Sequence, residues 1–376
     1  METRKKPALL LLLKERLQLE SPLTLIPPLN VMSYRSDVLE QPQVLRALVQ
    51  TYQQDSVWSL LAAYSQDLII LTGMGASYNA LYPAWVYLNQ QGKTALHLET
   101  STLIHYLPAV LDTPCLIVAV SQSGESIEIQ RLVEQVTTRR RHLKSPVLIS
   151  VTNSAHNTLA DHSDLALPTH AGPEVGIATK TYTSSLLVLD WIAKALVEKV
   201  QPQDFEQGNA IATCMQTFLD HCPTEMADAF KALKSSIYVG IIGRGPALAT
   251  AKNGALILKE GVRLPAEGYS GGQFRHGPRE MVSANIGLVV LTTPGSTLDL
   301  HLRLASDIVE YGGQLVCLGQ SGVPGSVTLS LPAVEAASLY PILEILPIQL
   351  LAAQLADSKG ITPGKFRWSG KVVHQE

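Results

Sequence analysis

The sequence predicts an α/β protein built from two tandem doubly wound parallel-sheet domains, and three observations carry that expectation. Short, continuous apolar runs alternate with helical patterns, as strands buried on both faces of a parallel sheet do. The same order of apolar run, turn and helix occurs twice. The two occurrences also keep register: the glycine turn at Gly73 returns at Gly243, 243 − 73 = 170 positions later, and Ser121 is matched by Thr292, 292 − 121 = 171 positions later.

Residues 1–30, with Pro22, Pro27 and Pro28, read as an N-terminal extension that ends in a proline-punctuated linker. A helical pattern follows from 32 to about 61, with Leu45, Leu48 and Val49 on one apolar stripe. A strand at 67–72 enters Gly73-Met74-Gly75-Ala76-Ser77, and a helix covers 78–90. A second strand at 115–120 delivers Ser121-Gln122-Ser123-Gly124-Glu125-Ser126 to the start of a helix that reaches 136. A third, at 146–151, ends at Thr152-Asn153, and a short fourth lies at 164–167. The second half repeats this with strands at 236–242, 286–291 and 314–318, leading into Gly243-Arg244-Gly245, Thr292-Thr293-Pro294-Gly295-Ser296 and Gly319-Gln320. Helices at 183–200 and 336–355 close the halves. The expected organisation is an extension at 1–30, domains at 31–200 and 201–360, and a closing tail at 361–376.

The length of 376 residues exceeds the usual span of one core. With 46% apolar and only 16% charged residues, much of the surface is committed to burial, which leans towards an oligomer. A formal net charge of −3 supplies no basic field for a nucleic-acid backbone, and Arg139, Arg140 and Arg141 read as a solvated helix end. Cys115, Cys214, Cys222 and Cys317 lack the close pairs of a zinc site and the density of a secreted disulfide scaffold, so a reducing cytoplasm is expected. Arg4-Lys5-Lys6 before Leu9 to Leu13 superficially resembles a signal peptide. That run meets Lys14, Glu15 and Arg16 with no small-residue cleavage site, and no segment has the uninterrupted apolar length of a membrane span.

Ligands of open parallel sheets bind at the carboxyl ends of the strands. There the Ser121 loop offers three hydroxyls, the Gln122 amide, and Gly124 for close backbone approach, with a helix N-terminus behind. A phosphate monoester suits this set; helix capping by Ser123 or Ser126 explains one hydroxyl rather than three. The Gly73 turn lacks the third glycine of a dinucleotide fingerprint, and the strand after it runs into Ser121 rather than an acidic ribose ligand. Ser77 is therefore assigned as a further phosphate or sugar donor, with helix capping as the alternative. In the second half, Leu258-Lys259-Glu260 and Arg275-His276-Gly277-Pro278 combine a carboxylate and a histidine with permissive glycines. A carboxylate can move a proton between adjacent sugar carbons while a histidine serves ring opening. On spacing alone, a surface acid and a turn histidine explain the pair equally well.

Together with Gly172-Pro173-Glu174-Val175-Gly176-Ile177-Ala178, these motifs resemble the sugar isomerase (SIS) domains, a flavodoxin-like fold, and among them the isomerase half of the glutamine:fructose-6-phosphate amidotransferases. The likeness runs from Met32 to the C-terminus and includes Glu40-Gln41-Pro42. It implies that Ser77, Ser121, Gln122, Ser123 and Ser126 hold a sugar phosphate, that Glu260 moves the carbon proton, and that His276, from a neighbouring subunit, assists ring opening, which with the low charged fraction leads to the expectation of a homodimer. It further implies that Lys371, in the tail Lys365-Phe366-Arg367-Trp368-Ser369-Gly370-Lys371, forms a Schiff base; the aromatics Phe366 and Trp368 are read as anchors of the tail over the pocket. No cofactor or metal is implied. Ala76 stands where the family usually has threonine, and Ile257 where it often has lysine. Glu2 stands where the amidotransferases carry the cysteine of a glutaminase domain, so the expected reaction is that of stand-alone relatives: isomerisation with deamination of an amino-sugar 6-phosphate. A fructosamine-6-phosphate deglycase and a non-catalytic sugar-phosphate sensor are the alternatives.

Overall fold

The computed structural model describes residues 32–64, 66–139, 146–221, 224–368, 370–373 and 375. The N-terminal extension, Arg140, Arg141 and Cys222 lie outside the described residues. The first half contains α1 (Tyr34–Tyr52), α2 (Val57–Leu61), β1 (Leu68–Gly73), α3 (Gly75–Ala80), α4 (Tyr82–Gln90), β2 (Thr94–Glu99), α5 (Thr100–His105), β3 (Cys115–Val120), α6 (Ile127–Arg139), β4 (Val147–Thr152), α7 (Thr158–Asp161), β5 (Leu165–Pro168) and α8 (Lys180–Val197). The second contains α9 (Pro202–His221), α10 (Glu225–Leu233), β6 (Tyr238–Gly243), α11 (Ala247–Ile257), β7 (Ala266–Ser270), α12 (Gly271–Arg275), β8 (Ile286–Thr292), α13 (Leu298–Glu310), β9 (Gln314–Gly319), β10 (Val327–Ser330) and α14 (Tyr340–Ser358).

Each half is a five-stranded sheet, ordered β2-β1-β3-β4-β5 and β10-β9-β8-β6-β7. All the strand pairs are parallel. Read from the edge next to its first strand, each sheet has the 2-1-3-4-5 order, so the duplication is one of topology as well as of sequence. Three edge strands, β2, β7 and β10, are absent from the expected string. The burial of β2 alternates irregularly between exposed and buried positions, and β7 carries Gly268. Neither presents the continuous apolar run that marks β3 or β8. The single helix expected to about 61 is two, α1 and α2, separated by a turn.

Alternation of side chains along each strand decides where the core lies. Ile69, Leu71 and Val118 face inward to a core that continues through Leu187, Trp191 and Ile345 to Val239, Ile241 and Val289 of the second sheet. Ile70, Ile117 and Leu148 face outward onto Leu132, and Ile242, Leu288 and Val290 onto Leu304. Helix α14 is long and apolar enough to cross a membrane, with a mean hydropathy of 1.5, but that stretch is wholly buried in the protein. It is the central core helix. Helix α11 packs both on α14 and on α3 of the first half, which sets a cleft between the carboxyl end of the first sheet and the C-terminal end of α11.

Candidate functional site

The cleft holds a cavity of about 370 Å³ lined by Ser77, Ser121, Gln122, Ser123 and Ser126 from the first half, Glu260 from the second, and Lys371 from the tail. Seven of the eight residues singled out in the sequence therefore meet around one space. His276 does not: it follows α12 and is exposed, outside the lining of its own chain's cavity.

The serine loop is held from behind. Gln122 accepts from the backbone N–H of Asn153, and Gly124 from that of Leu159. The Glu125 carboxylate accepts from the N–H and hydroxyl of Thr158 at 2.6 and 2.7 Å, which pulls its pKa below the usual value. Gly124 has a φ of +70°, and a Cβ there would lie 1.8 Å from the Asn157 Oδ1, so a side chain at this point is excluded. Ser121 Oγ accepts from the Gly124 N–H, and Ser123 Oγ from the Glu125 N–H, both at 3.1 Å. Each oxygen thus has one lone pair engaged while its hydroxyl proton remains to be donated, an arrangement of donors held in front of the N-terminus of α6. Ser77 faces the same space from α3.

Glu260 sits in a π-helical turn, Leu258–Val262, that ends α11. Such turns widen the backbone locally and are frequent at functional sites. Burial pushes its pKa up from 4.5 to about 6, opposed by Lys259. A carboxyl group titrating there can take and return a proton near neutral pH.

The tail is fastened over the cavity at several points. A Cβ on Gly176 would sit 2.4 Å from the Gly364 carbonyl oxygen, so the tail crosses the 172–179 loop where only glycine allows it. Val373 accepts from the Ile127 N–H at the start of α6. Phe366 packs against the main core, but Trp368 is 94% exposed, which corrects its expected role as an anchor. Lys371 Nζ donates to the Glu174 carbonyl at 2.5 Å and to its carboxylate at 3.3 Å. That carboxylate, with a fully buried side chain, also accepts from the N–H and hydroxyl of both Thr179 and Thr181. Glu174 thus ties the N-terminus of α8 to the tail.

Glu174 and Glu128 both line the cavity, and neither was singled out for chemistry. Glu174 was visible only as part of the Gly172 to Ala178 motif; Glu128 looked like any acid in the first turn of a helix. Of the two departures, Ala76 lines the cavity, while Ile257 is buried in the core. The argument against a dinucleotide from strand order also needs correction, because the strand after the Gly73 turn is β2, and it ends on an acid, Glu99. The absence of a third glycine stands. No group of three or more potential metal ligands occurs among the described residues.

The SIS domain model matches this chain at residues 63–195 and 233–356. A glutamine–fructose-6-phosphate aminotransferase (isomerizing) of Pyrococcus horikoshii is 31% identical over 353 residues, covering 90% of this chain and 57% of the relative. The Bacillus subtilis protein of that name is 27% identical over 350 residues, with the same coverage of 90% and 57%. The chain thus spans a little over half the length of these curated relatives. Among solved structures, the C-terminal domain of a Francisella tularensis glucosamine-fructose-6-phosphate aminotransferase superposes with a TM-score of 0.78 at 24% identity, covering 89% of this chain and 99% of that one. A Thermotoga maritima glucosamine-6-phosphate deaminase superposes with a TM-score of 0.73 at 20% identity, covering 91% and 99%. At these identities the two superpositions carry the fold alone.

Proposed function

This chain belongs to the SIS domain family, and from that premise we propose that it is a phosphosugar aldose–ketose isomerase that deaminates an amino-sugar 6-phosphate, glucosamine 6-phosphate being the simplest. The observation that carries the proposal is the single cavity in which the serine cradle, Glu260 and Lys371 converge. The phosphate is held by Ser77, Ser121, Gln122, Ser123 and Ser126, which leaves the other end of the open-chain sugar at Glu260. Glu260 removes the proton from C2 of the amino-aldose and returns it to C1, converting the C2 amine to an imine. Lys371 Nζ then displaces ammonia at C2, and water releases the ketose 6-phosphate and regenerates the lysine. Overall, amino-aldose phosphate and water give ketose phosphate and ammonia. For this Lys371 must leave Glu174 and attack as the free amine.

A homodimer in which His276 of one subunit serves ring opening in the other's cavity is part of the same proposal, supported by the exposure of His276 outside its own cavity. So is the division of the chain at 31–200, 201–360 and a tail at 361–376. Incubation with glucosamine 6-phosphate in deuterated water should yield ammonia and fructose 6-phosphate labelled at C1. The Glu260→Gln protein should bind the sugar yet neither label nor turn it over. Because Glu260 must be ionised to act as base, kcat/KM should fall about tenfold per pH unit below about 6. Borohydride with fructose 6-phosphate should trap an adduct on the wild type and not on Lys371→Ala. Failure to release ammonia or to exchange the carbon proton would sink the deaminase reading.

A further inference from the structure

The duplication puts a second set of loops at the carboxyl end of the second sheet, and an arginine there has no partner. Arg244 follows β6 in the repeated glycine turn, where 244 − 170 = 74 makes it the counterpart of Met74, a residue lining the first half's cavity. Its Nε is buried without a hydrogen-bond acceptor, and among the described residues no acid pairs with its guanidinium. A guanidinium stays charged, so leaving it half-buried and unpaired is unfavourable unless something completes it. Burial, and then the like charge of Arg275, pull its pKa below the usual value. Arg275 itself pairs with Asp307 of α13 at 3.1 Å, which leaves Arg244 as the uncompensated charge.

The groups around Arg244 are also donors or lack partners. Its guanidinium lies directly on the backbone at the start of α12: a Cβ on Gly271 would be 2.6 Å from Nε. A Cβ on Gly272 would be 3.8 Å from Nη1 and 3.9 Å from Ser270 Oγ, which places the hydroxyl beside the guanidinium. Ser270 Oγ accepts from the Gln273 N–H at 3.1 Å and keeps its proton to donate, as Ser121 and Ser123 do in the first half. His301, in the first turn of α13, is 3% exposed, and its Nε2 has no partner. Burial and then Arg244 push its pKa down to about 4, so a neutral ring stands next to the arginine. Thr297, at the N-cap of α13, makes no side-chain cap to that helix end. Thr250 and Thr293 turn instead towards Glu344 of α14, whereas Arg244 and Arg275 turn towards α13.

Guanidinium, hydroxyl and helix N-terminus at the carboxyl end of a parallel sheet are the donors that a tetrahedral oxyanion takes. We propose that Arg244, Ser270, Arg275 and the His301 end of α13 form a second phosphate-binding site, separate from the serine cradle, for a phosphate dianion that is free or carried on a sugar. The bound charge offsets the repulsion between Arg244, at the start of α12, and Arg275, at its end.

The second site goes beyond the proposed reaction, and binding alone tests it. Equilibrium dialysis with labelled inorganic phosphate, and separately with labelled fructose 6-phosphate, counts ligands per chain. At saturation the wild type should bind two, and Ser121→Ala/Ser123→Ala one. In Arg244→Gln the second site should weaken about 10- to 100-fold, as the loss of one hydrogen bond to a charged group provides. Gly271→Ala keeps the arginine but pushes it off the backbone, and it should weaken the same site. Retained binding at the serine cradle shows that both variants are folded. In the serine variant, tighter binding of fructose 6-phosphate than of phosphate assigns a sugar phosphate, and equal binding assigns the phosphate group alone; either supports the site. A single ligand on the wild type that is lost with the serines overturns it and leaves the cradle standing, as does a second ligand held equally well by Arg244→Gln. A single ligand lost with Arg244 but not with the serines supports the second site and removes the cradle. No bound ligand on the wild type overturns both.

Discussion

The same point in the two duplicated halves, the carboxyl end of the strand central to each site, has been put to opposite uses. After β3, Ser121 and Ser123 accept bonds from backbone N–H groups and leave their hydroxyl protons to a cavity. After β8, Thr293 donates to Glu344 at 2.6 Å, and Thr292 to the Ser321 carbonyl at 2.5 Å. Thr250 completes the second arrangement with a 2.6 Å bond to the other Glu344 oxygen. The second half therefore fills its donor site with a carboxylate from its own helix α14, while the first keeps its site open. The fold supplies hydroxyl donors at both strand ends, and one internal acid decides which of them is available to a ligand. The second half contributes to the open site instead through Glu260 at the end of α11.

This contrast can be broken most directly by removing the donors of each half in turn. Ser121→Ala/Ser123→Ala should lower sugar-phosphate affinity by about 2–5 kcal/mol, roughly 30- to 5,000-fold, because hydrogen bonds to a charged group are each worth about 1.5–3 kcal/mol. Its denaturation midpoint should fall only modestly, since the two backbone N–H bonds to these hydroxyls are lost while the scaffold bonds through Asn153, Thr158 and Leu159 remain. Unchanged affinity by calorimetry in the folded double variant removes the phosphate assignment.

A smaller effect of the opposite kind belongs to Thr250→Val/Thr293→Val. Both donors to a carboxylate with no solvent exposure are lost. The cost should be about 2–3 kcal/mol in denaturant unfolding, less than for an acid obliged to stay ionised, because Glu344 can take up a proton. Sugar-phosphate affinity should not move. A loss of affinity as large as that in the serine variant would mean that the two halves do not divide their roles.

Which parts were legible in the sequence follows from the same physics. Strands buried on both faces, such as Cys115 to Val120, must be continuously apolar, and they were found within a residue or so. The edge strands β2, β7 and β10 are only partly buried and need no such run, so they were missed. The cradle was readable because three hydroxyls around a glycine have few other uses. Glu174 was not, because its roles depend on Thr179, Thr181 and Lys371, the last of which lies 197 positions away. Glu344 gave no signal either, since an acid within a helix looks solvated until tertiary packing buries it. Lys371 and Phe366 of the tail line the cavity, whereas an aromatic residue such as Trp368 could not be known to face outward from its identity alone.

The finest test of the contrast is the pH dependence conferred by Glu344. Burial raises its pKa above 4.5, with the hydroxyls of Thr250 and Thr293 opposing the shift. For an acid whose folded-state pKa lies above its unfolded value, the folded state binds more protons between the two values. The associated stability is fully present below the unfolded pKa and is lost as pH rises through the folded one. Glu344→Gln cannot titrate and keeps an oxygen to accept from one threonine. The wild type should therefore lose stability relative to Glu344→Gln as pH is raised from about 4 upward, and the difference should level off once Glu344 is ionised in both states. Taking the difference between two proteins cancels the other buried acids, Asp37 and Asp190, whose pKa values burial also raises. Urea midpoints measured at intervals from pH 4 to pH 9 give the profile. A difference that stays flat, or that grows in the wild type's favour with pH, would show that the carboxylate is comfortably ionised in its threonine nest. The second half would then hold an anion in its threonine nest, supplied by its own side chain.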